Sequence, residues 1–396
     1  MLVKKETFMV FKLILILNIL FLVGCDKSSN NIPSPNTQTK VKNIILIIGD
    51  GMGTEHIKAA RWKKGGINGS LHRDELLANG MIKTSSLNNI PPDSAAAGTA
   101  MSTGVKTVNG IIGMDQNLNE LKTILELAKE NSKSVGLVSN TQLSHATPAS
   151  FASHEASRND VTNIALDIAE NNVDVLLGGG EDDFLPNTIN GCFDEPGERV
   201  DGRNLIDELI DKGYTYVCSD EVLNSVDIET TKKLIGLFSD EGLIRPFSPT
   251  LSQMTQKSLD ILSKNDNGFF LMIEAGQIDW ASHSNDAFNV IEDTIDLDNT
   301  IGLVNAFVKN RNDTLVIFTS DHETGGMTVS LEPTNNESED GPFTMPDGTP
   351  FYVNWTTTGH TGSDVPIRAS GFNSTMFNGT NENTYIYNVM KESFGF

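Results

Sequence analysis

From residue 43 onward the chain alternates short, unbroken apolar runs with longer stretches of helical apolar spacing. Three of the runs are NIILIIGD over 43–50, GFFLMIE over 268–274 and TLVIFTSD over 314–321. They are rich in β-branched and aromatic residues and lack polar alternation, so each predicts a strand covered on both faces, as in a parallel sheet. Helical spacing precedes a strand-like run again and again. Leu118–Asn131 leads into Ser134–Ser139, Val161–Asn171 into Val173–Leu177, and Leu205–Lys212 into Tyr214–Cys218. Pro249–Lys264 then leads into the 268–274 run, and Asp286–Asn310 into 314–321. That repeated order predicts an α/β fold, a mostly parallel central sheet with helices on both faces. Two stretches break the rhythm. Gly178–Arg203, rich in Gly, Asp and Asn, reads as a long surface loop, and Leu331–Thr358 as an irregular insertion. Residues 43–396 are therefore expected to form one domain with insertions near 178–203 and 331–358.

The first 42 residues obey a different pattern. Lys4, Lys5 and Lys12 precede an apolar run from Leu13 to Val23, which ends in Leu-Val-Gly-Cys at 22–25. A basic start, a short apolar core and small residues before a cleavage point describe an export signal. The run is too short to span a bilayer comfortably. Its ending resembles a bacterial lipobox, which implies lipidation of Cys25. We expect a signal peptide over 1–24, a polar tether over 25–42, and an exported protein held by lipid in the periplasm or on the cell surface. With 52 acidic against 29 basic residues the formal charge is −23. That excludes nucleic-acid binding through a basic surface and obliges any anion site to supply its own positive charge. Cys192 and Cys218 stand in no metal-like spacing, and a disulfide or two separate thiols fit the sequence equally.

The predicted strands end in acids: Asp50, Glu274 and Asp321. In open α/β sheets ligands bind just beyond the carboxyl ends of the strands. Asp279 and His283, four residues apart, share one face of a helical turn. His322 follows Asp321, and His360 lies in GHTGS at 359–363. Carboxylates and imidazoles gathered at one sheet edge are the donor set of a multi-metal hydrolytic centre. A nucleophile is offered by PPDSAAAGTA at 91–100, where two prolines and Asp93 precede Ser94. A helix opening there would present unpaired N–H groups and its positive end to an anion; taken alone Ser94 reads more simply as a plain cap, and the metal-type residues elsewhere in the chain overturn that reading. The chain has no G-x-S-x-G elbow, so metal activation is the better account of a reactive serine. His56, His72 and His154 read as surface or helix residues rather than ligands. The acidic run Glu292–Asp298 reads as a solvated helix face, and Trp62 and Trp355 as packing or rim groups.

Taken together, GDGMG at 49–53, PDSAAAGTA at 92–100, HATPA at 145–149, SR at 157–158, EAGQIDWASH at 274–283, TSDHETGG at 319–326 and GHTGS at 359–363 resemble the bacterial alkaline phosphatases. They occur in that family's order and span most of the chain. The resemblance implies a three-layer sandwich fold and hydrolysis of phosphate monoesters through a phosphoserine on Ser94. It implies one Zn2+ on Asp279, His283 and His360, and a second on Asp50, Asp321 and His322. A third ion, Mg2+, would sit on Asp50, Glu274 and Thr147. Arg158 would grip two phosphoryl oxygens, with Asp93 orienting its guanidinium. A homodimer is also implied. His145 and Trp280 stand where the best-known bacterial form has Asp and Lys, and resemble the variants of some marine and cold-adapted bacterial enzymes. An imidazole there weakens the case for tightly held magnesium, and His145 reads equally as a ligand or a packed neighbour. Trp280 removes a positive charge, so phosphate should leave more readily. The competing readings are a phosphodiesterase of the same fold, disfavoured by Arg158 with a third metal site, and a non-catalytic lipoprotein that captures phosphate or metal. The latter has no need of Ser94 beside an open metal position.

Overall fold

In the computed structural model, which describes residues 40–88 and 91–396, the apolar runs are strands. In chain order the strands are β1 Asn43–Gly49, β2 Ala78–Lys83, β3 Ser134–Gln142, β4 Val175–Gly179, β5 Thr215–Val217, β6 Leu234–Leu237, β7 Phe269–Ala275, β8 Thr314–Thr319, β9 Glu323–Thr324, β10 Thr328–Ser330, β11 Glu339–Thr344, β12 Pro350–Asn354, β13 His360–Thr361, β14 Val365–Ser370 and β15 Gly379–Glu382. The α-helices are α1 Thr54–Gly65, α2 Ser94–Thr103, α3 Ile124–Glu130, α4 Ala146–Ala152, α5 Val161–Asn171, α6 Glu181–Phe184, α7 Leu205–Asp211, α8 Asp220–Ser225, α9 Leu251–Leu262, α10 Gln277–His283, α11 Ala287–Val308 and α12 Thr384–Phe394. Ten strands make one sheet in the order β15-β2-β14-β8-β1-β7-β3-β4-β6-β5. From β8 to β5 every neighbouring pair is parallel, while β14 runs antiparallel to both β8 and β2.

Period-two geometry divides the core. Ile44, Leu46 and Ile48 of β1 enter one apolar cluster, and Ile45 and Ile47 enter the other. Met101 of α2, Ile164 of α5 and Val389 of α12 close the first face; Ile57 of α1, Leu259 of α9 and Ile301 of α11 close the second. The expected three-layer sandwich is what the chain forms. The small-residue run of α2 has a packing reason as well. A Cβ on Gly98 would lie 2.3 Å from Ser150 Oγ of α4, so glycine lets these two helices touch.

Several expectations need correction. The helix read over Leu118–Asn131 starts only at Ile124, because Asp115 binds the N–H groups of Asn117 and Asn119 in a turn. A Thr123–Glu126 capping box then fixes the helix start. The 178–203 stretch is only partly a surface loop: its glycines finish β4, α6 is buried, and Cys192 forms a disulfide with Cys218. The 331–358 stretch is not irregular, since β12 pairs with both β10 and β11 in a three-stranded antiparallel sheet over buried Phe351, Val353 and Trp355. Pro342, Pro346 and Pro350 interrupt the alternation that would have announced it. Nor is the 292–298 run simply solvated. Asp293 is buried against the Arg245 guanidinium, and buried Asp298 receives Lys64 Nζ at 2.8 Å. Val41, assigned to the tether, is buried and donates to Ser393 O at 2.8 Å. The signal peptide, Cys25 and the tether up to residue 39 lie outside the described residues. Among the described residues no helix is long and apolar enough to cross a membrane.

Candidate active site

The three central strands deliver their acids to one edge of the sheet. Asp50 follows β1, Glu274 lies in β7 and Asp321 follows β8, and all three are buried. Main-chain geometry holds them: Asp50 N–H donates to Ala275 O at 3.2 Å, and Gly51 N–H to Asp321 Oδ1 at 3.1 Å. On α10, Asp279 and His283 share a face as expected, with Asp279 Oδ2 3.2 Å from His283 Nε2.

His360 completes this first cluster from β13, its Nε2 lying 3.1 Å from His283 Nε2 and 3.7 Å from Asp279 Oδ1. The Nδ1 atoms of the two rings face backbone carbonyls, Thr358 O at 2.6 Å and Pro92 O at 2.8 Å. A carbonyl can only accept, so each ring carries its hydrogen on Nδ1 and turns a bare Nε2 inward. Two imidazole lone pairs and a carboxylate converging on one point call for a cation. Without a metal a proton serves: the Asp279 hydrogen bond raises the His283 pKa to about 9. Burial acts to raise Asp279 too, but the His283 hydrogen bond and the surrounding imidazoles hold it well below the usual carboxylate range.

The second cluster lies deeper. His322 Nε2 stands 3.1 Å from Asp321 Oδ2, 3.4 Å from Asp50 Oδ1 and 3.3 Å from Ser94 Oγ. Ser94 is the first residue of α2, capped by Asp93, whose Oδ1 accepts from Ala96 N–H at 3.0 Å. Behind it lies a third group. Thr147 Oγ1 is 3.4 Å from Asp50 Oδ2, and Glu274 Oε2 accepts from Ser139 and from Thr141 at 3.1 Å. Asp50 Oδ1, Asp321 Oδ2 and Glu274 Oε1 are all buried without a hydrogen-bond partner. Orphaned acceptors so concentrated fit bound cations and little else. Burial, then repulsion from Asp321, Asp279 and Glu274, pushes the Asp50 pKa well up, and burial lifts Glu274 to about 7. Three donor sets have atoms within 4.8 Å of one another: Asp279–His283–His360, Asp50–Asp279–His322 and Asp50–His145–Glu274. The second pairs His322 with Asp279 rather than Asp321, and the third brings His145 within ligand reach.

Arg158 joins Asp93, the cap of Ser94's helix, to His145. Its Nη1 donates to Asp93 Oδ2 at 3.2 Å and its Nη2 lies 3.1 Å from His145 Nε2. Burial, with Arg158 beside it, pushes His145 down to about 3, so the neutral ring accepts from the guanidinium. Trp280 stands edge-on to His145 with ring centroids 5.8 Å apart. The candidate metal ligands lie together at this edge with Ser94, Asp93, Arg158, His145 and Trp280. Two contributors were missed. His56 is buried on α1, with Nδ1 accepting from Gly53 N–H at 3.2 Å and Nε2 on Ser282 Oγ at 3.0 Å, so it braces the Asp50 loop against α10 rather than facing solvent. Thr324 touches both metal-type clusters; its place in TSDHETGG, two residues after His322, was its signal.

The family profile described as Alkaline phosphatase matches residues 41–352 and 349–395. Alkaline phosphatase 4 of Bacillus subtilis (strain 168) is 38% identical over 319 residues, which cover 76% of this chain and 65% of that protein. Alkaline phosphatase 3 of the same organism is 32% identical over 448 aligned positions, covering 92% and 93%. The structure of alkaline phosphatase from the Antarctic bacterium TAB5 superposes with a TM-score of 0.75 at 33% identity, covering 90% of this chain and 98% of that one. A variant of that enzyme with aspartate for one histidine has magnesium bound in its M3 site. The chain belongs to the alkaline phosphatase family, metal-dependent hydrolases of phosphate monoesters.

Proposed function

We propose that this chain hydrolyses phosphate monoesters by transferring the phosphoryl group to Ser94 and then to water. The observation that carries the proposal is Ser94 Oγ, at a buried helix start, 3.3 Å from the inward nitrogen of His322. Asp279, His283 and His360 would hold one Zn2+, and Asp50, Asp321 and His322 a second, mixed nitrogen and oxygen sets that suit zinc. Asp50, Glu274 and Thr147 would hold Mg2+, with the His145 nitrogen loosening its grip. Bound cations would supply Lewis acidity at the attacking and leaving oxygens and neutralise phosphoryl charge.

The chain's own groups do the positioning. Arg158 offers a planar fork to two non-bridging oxygens, held by Asp93 on one side and His145 on the other. Beside Ala96 N–H, which Asp93 accepts, the positive end of α2 would favour the charge on the same oxygens. Ser94 Oγ attacks phosphorus in line with the ester oxygen, which departs toward the exposed His283 side. Water arriving from that side then displaces Ser94. Because the contacts address the phosphoryl group and the exit side is open, many alcohols should serve. Trp280 adds no charge near the phosphate, so product inhibition should be mild. Export and anchoring at Cys25 form part of this proposal on sequence pattern alone, and a homodimer on family likeness alone.

Quenching turnover of an aryl phosphate under denaturing conditions and mapping the adduct tests the nucleophile. A phosphoryl group should sit on Ser94, and Ser94→Ala should lose both adduct and kcat, the latter on the order of 10^3-fold or more. An adduct elsewhere, or undiminished turnover by Ser94→Ala, would refute it.

A further inference from the structure

Thr324 stands between the two imidazole–carboxylate clusters and belongs to neither donor set. It sits on β9, two residues after His322, and its main chain is pinned on both sides. Its N–H donates to Gly51 O at 3.0 Å, and it pairs with His360 across the β9–β13 ladder. The side chain is fully buried. Its Oγ1 lies 2.5 Å from Asp279 Oδ1 and 3.2 Å from His322 Nδ1.

A hydroxyl has one hydrogen to give. The Asp279 carboxylate can only accept, so that hydrogen goes to Asp279. The Thr324 oxygen is then left as an acceptor, and His322 Nδ1 must be its donor. His322 Nε2 therefore keeps its lone pair, aimed at Asp50, Asp321 and Ser94. His283 and His360 have backbone carbonyls to fix their Nδ1 hydrogens; His322 has the Thr324 hydroxyl in that place. We propose that Thr324 is a positioning residue whose single hydroxyl sets the Asp279 rotamer in the first cluster and the His322 tautomer in the second, so that the two cation sites are organised together.

The proposal rests on the reading of those clusters as zinc sites. Outer-sphere hydrogen bonds of this kind are commonly worth about 10- to 100-fold in metal affinity. The test uses the full chain stripped of metal, with zinc uptake measured against a chromophoric chelator for the parent, Thr324→Val and Thr324→Ser. Valine keeps the branched shape and removes the hydroxyl; serine keeps the hydroxyl. Thr324→Val should weaken both zinc-binding steps by about 10- to 100-fold. Thr324→Ser should recover parental affinity, and thermal unfolding of metal-free Thr324→Ser should coincide with that of the parent. Should valine unsettle the fold, seen as a lowered metal-free midpoint, Thr324→Ala carries the same comparison. Weakening confined to one step, parental affinity in Thr324→Val, or failure of serine to rescue would overturn the proposal. A parent chain that binds no zinc would overturn the two-zinc reading with it, whereas tight parental binding matched by Thr324→Val overturns this proposal alone.

Discussion

Single residues in this site are held by partners distant in sequence, and that decides which of them could be read in advance. Asp50, Glu274 and Asp321 are legible because each ends an apolar strand, and Asp279 with His283 because helical spacing puts them on one face. Thr324 and His56 are not. Their roles depend on Asp279 and Ser282, which only the folded chain brings near. Arg158 was legible through its motif, yet its two supports, Asp93 and His145, lie 65 and 13 positions away. Removing the guanidinium should strip charge-assisted hydrogen bonds worth about 1.5–3 kcal/mol. Arg158→Ala should thus lower kcat/KM for an aryl phosphate by about 10- to 100-fold, mainly through KM, since the bound ester uses the same fork. Parental kcat/KM in that variant would remove Arg158 from the site.

At the scale of elements, the parallel strands and long helices followed from periodicity, since burial on both faces leaves an unbroken apolar signature. Elements built on turns did not. The 331–358 sheet is short, edge-like and cut by proline, and α3 starts at a cap rather than at the first apolar residue. The turn after β1 shows how finely an element junction is fitted. Gly51 takes a φ of 69°, and a Cβ there would lie 2.7 Å from Asp279 Oδ1 and 2.8 Å from Thr324 Oγ1. Gly51→Ala should cost about 1–2 kcal/mol in backbone strain alone, and should displace Asp279 as well. Urea unfolding should register the first effect, and zinc affinity the second. A variant matching the parent in both would show that this turn does not set the cluster.

Across the whole molecule, buried charge links stability to pH and metal. In the metal-free protein the Asp279 hydrogen bond raises His283 from 6.5 to about 9, and burial together with Asp183 raises Asp182 from 3.8 to about 8. Both groups bind protons more tightly folded than unfolded, so their contribution is complete below the unfolded values and is lost as pH rises through the folded ones. His56, His145 and His322 are shifted the other way, to about 4, 3 and 4, so their gain with rising pH is over by about pH 6.5. Lys133, lowered to about 8 by burial, opposes the loss increasingly as pH approaches 8, but as one group against two it does not cancel it. Between about pH 7 and about pH 8 the metal-free protein should therefore lose thermal stability. Zinc should flatten the decline by taking the proton's place on His283. A stripped protein whose midpoint holds or rises over that interval would contradict the charge arrangement described.

The fold, the three clusters and Ser94 meet in one claim, that this edge of the sheet is a metal-dependent phosphomonoesterase centre. The most direct test is steady-state hydrolysis of an aryl phosphate by the full chain between about pH 7 and about pH 10. It is run before chelation, after chelation, and after zinc and magnesium are returned. The chelator should abolish turnover, zinc should restore it and magnesium should raise it further. No turnover by the metal-loaded protein, or turnover indifferent to the chelator, would contradict the claim.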